Sequence, residues 1–280
     1  MTSGHFKGGT AVVTGAGSGL GAAMVARFAQ QDMSIVALDI DSARAQATAD
    51  QVLQAGGRAI AMPVDVANRA SLEAAALAVA ESFGACTVLC ANVGVQQFGA
   101  LDRLTEQDWS WVLSVNVMGV VHTVGSFLPL LRKTEGKRHI VVTSSSAALT
   151  PGVRMGAYTA SKYAVTGYAE TLRMELANEG IGVSIMFPAG MITRHLESSM
   201  RARPEALGKS ELRREDIDAM MASRKMDHSN HVATAEHATR HLIDDLVANE
   251  RYIITHGEYR DSLVGNADAL LRAHDRGQQD

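Results

Sequence analysis

Cysteine is scarce: the chain of 280 residues has two, Cys86 and Cys90. Both fall in Cys86-Thr-Val-Leu-Cys90, which reads as a buried strand, where residues four apart share a face yet lie too far apart to bond. So few thiols exclude a disulfide framework and point to buried, reduced side chains in a cytoplasmic protein. The ten histidines show no metal-ligand spacing, so no metal is expected. No long basic run occurs and the formal net charge is −4, which argues against nucleic acid as a partner, because phosphate binding needs clustered Lys and Arg. The opening Met-Thr-Ser-Gly-His-Phe-Lys has no apolar core of a signal peptide, and no stretch is expected to approach the roughly 20 apolar residues that span a bilayer. No membrane partner follows from such a sequence. Repeats and low-complexity linkers are also missing, so residues 1–280 read as one domain.

What is present is alternation. Short, nearly continuous apolar runs occur at Thr10–Thr14, Ser34–Asp39, Ala59–Val64, Thr87–Ala91, His139–Ser144, Gly182–Phe187 and Tyr252–Thr255. Runs of this kind mark parallel strands covered on both faces. Helix-like stretches separate them, at Gly19–Gln31, Ser42–Ala55, Ser71–Phe83, Thr105–Leu131 and Tyr158–Glu179. The pattern predicts an α/β fold with a doubly wound parallel sheet of about seven strands and helices on both faces, the Rossmann fold. After Thr193 the alternation weakens, and Arg194 to about His231 reads as a polar, helical insertion before the last strand. The tail after Tyr259 reads as a short helix with a frayed end.

Thr14-Gly15-Ala16-Gly17-Ser18-Gly19-Leu20-Gly21 follows the first strand and opens the first helix. Glycines here allow a tight turn, close approach of a pyrophosphate and close helix–strand packing, while the helix N-terminus offers N–H groups to phosphate. The strand-then-helix setting is what gives the motif meaning. The second strand ends at Asp39, placed to bond the ribose hydroxyls of NAD and to repel the extra phosphate of NADP. No Arg or Lys lies within the turn or directly after Asp39, so NAD is the expected cofactor and NADP the lesser one.

Tyr158-Thr-Ala-Ser-Lys162 spaces Tyr and Lys at i, i+4, one turn apart on one helix face. A phenol with a pKa near 10 is a poor acid–base group at neutral pH, and a neighbouring cation favours the phenolate. Thirteen residues before Tyr158, the fifth strand runs into Ser145, at the carboxyl edge where open α/β sheets bind ligands. Asn116 lies inside a helical stretch, where Asn is mildly unfavourable, which suggests a specific task or an outward-facing side chain.

Together these residues resemble the short-chain dehydrogenase/reductase family, in its single-domain branch, over nearly the whole chain. The matching positions are Thr14–Gly21, Asp39, Asp65-Val66, Asn92 and Gly94, Asn116, Ser145, Tyr158 with Lys162, and Pro188 through Thr193. The resemblance implies an NAD-dependent oxidoreductase that interconverts a secondary alcohol and a ketone. It implies Tyr158 as general acid/base, Ser145 (with Ser146 the alternative register) positioning the substrate oxygen, and Lys162 binding the nicotinamide ribose and lowering the Tyr158 pKa. Asn116 would help hold a water that relays protons from Lys162. Gly15, Gly17, Ser18, Gly19, Leu20, Gly21, Asn92, Gly94 and Pro188 would contact the cofactor. Asp65 and Val66 would flank the adenine, and Thr193 would hold the carboxamide. Two departures stand out: Val93 where the family usually has Ala, and Pro188-Ala189-Gly190 in place of Pro-Gly.

By the same resemblance, residues at about 191–230 form a substrate lid. Met191, Met200, Met220, Met221 and Met226 there suit either an apolar or aromatic substrate or simple packing of the lid. Gln96 and Gln97 are further candidates for the pocket wall, and Arg194 reads either as a solvated charge or as a contact for a substrate acid. The helices Thr105–Leu131 and Tyr158–Glu179 carry broad apolar surface, which in the family commonly forms a homotetramer or homodimer interface. The competing reading is a non-catalytic protein that senses a dinucleotide on the same fold.

Overall fold

The computed structural model describes residues 4–191, 195–208, 213–223 and 232–278. Its strands are β1 (Thr10–Thr14), β2 (Ser34–Asp39), β3 (Ala59–Pro63), β4 (Val88–Ala91), β5 (Arg138–Thr143), β6 (Ile181–Phe187), the two-residue β7 (Gly190–Met191) and β8 (Val232–Ala233), and β9 (Tyr252–Ile254). Seven of them form one sheet in the order β3-β2-β1-β4-β5-β6-β9, paired parallel throughout. The chain winds outward from β1 in one direction and then from β4 in the other, so the carboxyl ends of β1 and β4 flank the crevice where such sheets bind ligands. The expected Rossmann-like α/β fold is the observed one, and β1 and β2 span the residues read from the sequence.

Each sheet face carries its own core. On one side Leu38, Leu72, Leu89, Phe127, Ile140 and Ile185 pack with α3 (Arg69–Phe83) and the two long helices α5 (Gly119–Lys133) and α6 (Gly156–Leu176). On the other, Val13, Met24, Phe28, Ile35, Val88 and Met186 pack with α1 (Gly19–Ala29), α2 (Ser42–Gln54) and the helix Leu242–Ala248. Cys86 belongs to the first core and Cys90 to the second. The expectation that the two thiols share a face is therefore wrong. Strand β4 starts only at Val88, so the alternation counted back from Cys90 does not reach Cys86. Burial pushes both thiols well above the ordinary range, with the charge of Cys86 adding to the rise at Cys90, which leaves them inert.

The predicted helix Thr105–Leu131 is built from three pieces: α4 (Glu106–Leu113), a π-helical turn at Ser114–Met118, and α5 (Gly119–Lys133). Thr105 opens α4 with a capping box closed by Asp108. Against the reading that no segment is long and apolar enough to cross a bilayer, this 28-residue run from Glu106 to Lys133 is so by length and composition. Its Val120, Val124, Phe127 and Leu131 are packed in the first core. Helix α6 (Gly156–Leu176) carries Tyr158 and Lys162.

The lid region supplies α7 (His195–Ala202) and α8 (Arg214–Ser223), and Thr193, Arg194 and Met226 lie outside the described residues. Strands β7 and β8 pair with each other, Gly190 beside Val232 and Met191 beside Ala233, so the segment leaves and re-enters the body at one place. The tail, read as short, is a 17-residue helix (Arg260–Arg276) with no buried residue.

Candidate active site

A cavity of about 870 Å³ runs along the carboxyl edge of the sheet. At one end it is floored by the β1–α1 turn. Gly15 has φ +66°, in the left-handed region, and a Cβ on Gly21 would sit 2.0 Å from the Gly15 carbonyl oxygen. Only glycines let helix and strand meet this closely. Ser18 precedes α1 in extended backbone and its hydroxyl caps no helix N–H, so the first-turn N–H groups face the cavity without an internal partner from that side chain. Asp39 at the end of β2 is held firmly: Oδ2 accepts from the Gly17 N–H at 2.9 Å and Oδ1 from the Asp41 N–H at 3.0 Å. Asp65 and Val66 line the same end.

At the middle, Asn92 ties three strands together. Its N–H donates to Thr14 Oγ1 (2.9 Å), its Nδ2 to the Thr14 carbonyl (3.1 Å), and its Oδ1 accepts from Thr143 Oγ1 (3.1 Å). Two residues on, a Cβ at Gly94 would meet Lys162 Nζ at 3.1 Å, so glycine there makes room for the lysine. Lys162 Nζ donates to the Thr143 carbonyl at 3.0 Å and stands 5.7 Å from the Tyr158 ring centroid. Both residues are buried and both line the cavity. Burial lowers the Lys162 pKa to about 8.

The three consecutive serines separate by their partners. Ser144 Oγ is engaged by α6, donating to the Lys162 carbonyl (3.1 Å) and pairing with Thr166 Oγ1 (2.8 Å), which fixes the end of β5 against that helix. Ser145 Oγ accepts from the Ala147 N–H (3.1 Å), and all three serines line the cavity. Asn116, on the π turn, is fully buried. Its Oδ1 accepts from the Val95 N–H at 2.7 Å, and its Nδ2 donates to the Val95 carbonyl (3.0 Å) and Ser161 Oγ (2.9 Å). The amide thus braces the loop after β4 against α6, and the side chain faces inward.

Of the residues expected at the site, Gly15, Ser18, Gly19, Leu20, Gly21, Asp39, Asp65, Val66, Asn92, Gly94, Ser145, Tyr158, Lys162 and Pro188 all line this one cavity. Gly17 and Asn116 stand behind its wall, and Thr193 lies outside the described residues. Met191 and Met220 line the cavity as well, whereas Met200 is 58% exposed. Gln96 faces in, but Gln97 is buried elsewhere, its Oε1 accepting from Arg203 Nη1 at 2.9 Å. Sequence reasoning missed Phe98, Trp111 and Met155, which with Tyr158 and Met220 give the far end an apolar wall. It also missed Arg44, whose one signal was its place in the first helical turn after Asp39.

Two ion-pair groups hold the lid. Asp216 on α8 is fully buried and meets Arg103 Nη2 at 2.5 Å and Arg154 Nε at 3.2 Å. Arg203, after α7, meets Asp108 at 2.7 Å and lies 5.5 Å over the Trp111 ring. Helix α7 also accepts the Gln96 N–H on Ser199 Oγ at 2.9 Å.

The family model described as short chain dehydrogenase matches residues 9–204. Among curated proteins, the C alpha-dehydrogenase of Sphingobium sp. (strain NBRC 103272 / SYK-6) is 29% identical over 270 residues, covering 95% of this chain and 86% of that protein. The 3beta-hydroxysteroid dehydrogenase 1 of Eggerthella lenta is 34% identical over 211 residues, covering 74% and 79%. Among solved structures, a short chain dehydrogenase/reductase from Burkholderia phymatum in complex with NAD superposes with TM-score 0.83 at 35% identity, covering 99% of this chain and 96% of that one. A metagenomic short-chain oxidoreductase in complex with NADP matches with TM-score 0.63 at 30% identity, covering 66% and 84%. The chain belongs to the short-chain dehydrogenase family and is a nicotinamide-dinucleotide-dependent oxidoreductase acting on CH–OH groups.

Proposed function

We propose that the protein interconverts a secondary alcohol and its ketone, prefers NAD, and takes an apolar or aromatic substrate. The observation that carries this reading is the convergence of Ser145, Tyr158 and Lys162 on one cavity that also contains the glycine turn and Asp39. The glycine cradle fits a dinucleotide, since its glycines let strand and helix close up and bring the first turn of α1 to the cavity, where its N–H groups suit a pyrophosphate. Gly15, Ser18, Gly19, Leu20 and Gly21 would hold the pyrophosphate, Asp39 the adenosine ribose, Asp65 and Val66 the adenine, and Lys162 the nicotinamide ribose. When bound, the dinucleotide supplies the two-electron acceptor or donor.

The chain's own residues do the rest. Tyr158 Oη takes the hydroxyl proton in oxidation and returns it in reduction. The Lys162 ammonium steadies negative charge as it develops on that oxygen. Ser145 Oγ orients the substrate oxygen, and Asn116, through Val95 and Ser161, keeps the loop after β4 and helix α6 in register. The Asp39 carboxylate, held by two N–H groups, disfavours a 2′-phosphate. Phe98, Met155 and Met220 favour an apolar body on the alcohol, and the steroid alcohol dehydrogenase among the relatives is consistent with that. A homotetramer or homodimer would cover Leu113 and Met118 on the α4–α5 rod and Tyr163 and Met174 on α6, all exposed.

The test is the near-ultraviolet absorbance of reduced nicotinamide with NAD and with NADP, over aryl, steroid, sugar and short aliphatic secondary alcohols. Turnover is expected with NAD and a bulky apolar alcohol, and Tyr158→Phe should lower it by about 100- to 10,000-fold. Turnover of sugars alone would refute the substrate class, and an unchanged Tyr158→Phe would refute the assignment of the proton to Tyr158.

A further inference from the structure

Arg44 has no part in the reading so far, although it lines the cavity. Its stem lies directly over the glycine turn: a Cβ on Gly17 would come within 2.7 Å of Arg44 Cβ and 2.9 Å of Asp39 Oδ2. From there the guanidinium reaches across the groove. Nε meets Asp41 Oδ2 at 3.2 Å, and Nη1 comes to 3.5 Å from Ser198 Oγ on the lid helix α7. Ser198 itself lines the far wall of the cavity. Arg44 therefore bridges α2 and α7 beside the glycine turn, in the cavity that Ser18, Gly19 and Leu20 also line.

The local electrostatics give the bridge a purpose. Asp39 is committed to two backbone N–H groups, and Asp41 accepts from the Arg44 N–H (3.2 Å) as well as from its Nε. Asp41 thus positions the arginine, while Nη2 makes no bond among the described residues. The first turn of α1, opposite, contains no acidic residue. A guanidinium above and an uncapped helix N-terminus below form a slot with positive character on both sides. At 25% side-chain exposure the arginine is shielded enough for a charged hydrogen bond to count.

We propose that Arg44 is a phosphate-binding residue of the dinucleotide groove, closing over the cofactor's phosphate from above and meeting the lid at Ser198. The inference rests on the dinucleotide reading of the cavity and adds to it a residue contributed by α2. The ligand chemistry is a phosphate ester, which a dinucleotide can present either as its pyrophosphate or as a 2′-phosphate.

Calorimetric titration of the full chain with adenosine, ADP-ribose and 2′-phospho-ADP-ribose separates these sources. Arg44→Gln should weaken ADP-ribose by about 10- to 100-fold, the range for a hydrogen bond to a charged group, and leave adenosine within about twofold. Arg44→Lys, which keeps a charge, should recover part of the loss. A loss on ADP-ribose assigns the pyrophosphate, and a loss confined to 2′-phospho-ADP-ribose assigns the 2′-phosphate. Either supports Arg44 as the phosphate contact. An equal loss on all three ligands, adenosine included, or no loss on any, overturns the proposal. If the parent protein binds none of the three, the dinucleotide reading falls with it.

Discussion

Asn116→Leu removes the amide that braces the loop after β4, and the cost can be worked from its partners. Leucine matches the volume but leaves the Val95 N–H and carbonyl, both buried, without the groups they now meet at 2.7 and 3.0 Å. Each orphaned backbone group costs about 1–3 kcal/mol, so the pair costs about 2–6 kcal/mol. Ser161 Oγ loses a donor but keeps its bond to the Tyr158 carbonyl at 2.6 Å. The lost Ser161 bond adds about 1 kcal/mol, and burying the leucine side chain returns about 1.5–3 kcal/mol. A net loss near 3 kcal/mol lowers Tm by about 6–12 °C in a domain of this size. Differential scanning calorimetry measures it, with Ser161→Ala beside it as the milder change of about 1 kcal/mol, or about 2–4 °C. Val95 also lines the cavity and Gln96 anchors the lid helix, so KM for the alcohol should rise with the loss of stability. If Asn116→Leu melts within about 2 °C of the parent, the bracing role is wrong.

Two further outcomes follow from the same geometry. Lys162 has its folded-state pKa lowered from 10.5 to about 8 by burial, so its ammonium is a cost to the fold at neutral pH, relieved as pH rises from about 8 toward 10.5. Lys162→Met, which also gives up the bond to Thr143, should therefore be inactive yet more stable at neutral pH by about 1–3 kcal/mol. That gain should shrink as pH rises from about 8 to 10.5 in urea titrations, and a variant less stable than the parent at neutral pH would contradict it. Asp216→Asn weakens the latch of α8 on Arg103 and Arg154, whose guanidinium groups are about one-third exposed and can return to water. It should raise KM for bulky alcohols by about three- to tenfold with kcat little changed, and an unchanged KM for every alcohol would show that the latch does not shape the pocket.

Much of this was legible in the sequence because it depends on local rules. Strands β1 and β2 are continuous apolar runs between turn residues, the glycine turn announces itself by composition, and the i, i+4 spacing of Tyr158 and Lys162 needs only a helix. The rest depends on partners far along the chain. Little in the local sequence marks Arg44, whose partner is Ser198, or Asp216, whose arginines are Arg103 and Arg154. The lid methionines could not be sorted by type: Met220 faces the cavity and Met200 faces water because of helix phase, which polar, irregular α7 and α8 do not reveal. The cysteine pair was misread because one residue precedes the strand that the other belongs to.

The π turn at Ser114–Met118 carries one residue more than a regular turn would, and this sets a limit on how the chain can change in length. Shortening it by one residue would leave a better-formed helix by local criteria. It would also rotate everything downstream by about 100° and draw it in by about 1.5 Å. Either Phe127 and Leu131 would roll off the sheet, or Trp111 would leave the cavity wall. The extra residue lets one rod present two faces out of phase, one to the catalytic helix and one to the core. Insertions and deletions that the surface turn between Lys133 and Arg138 could absorb are barred here, so the spacing from Trp111 to Phe127 behaves as a fixed length.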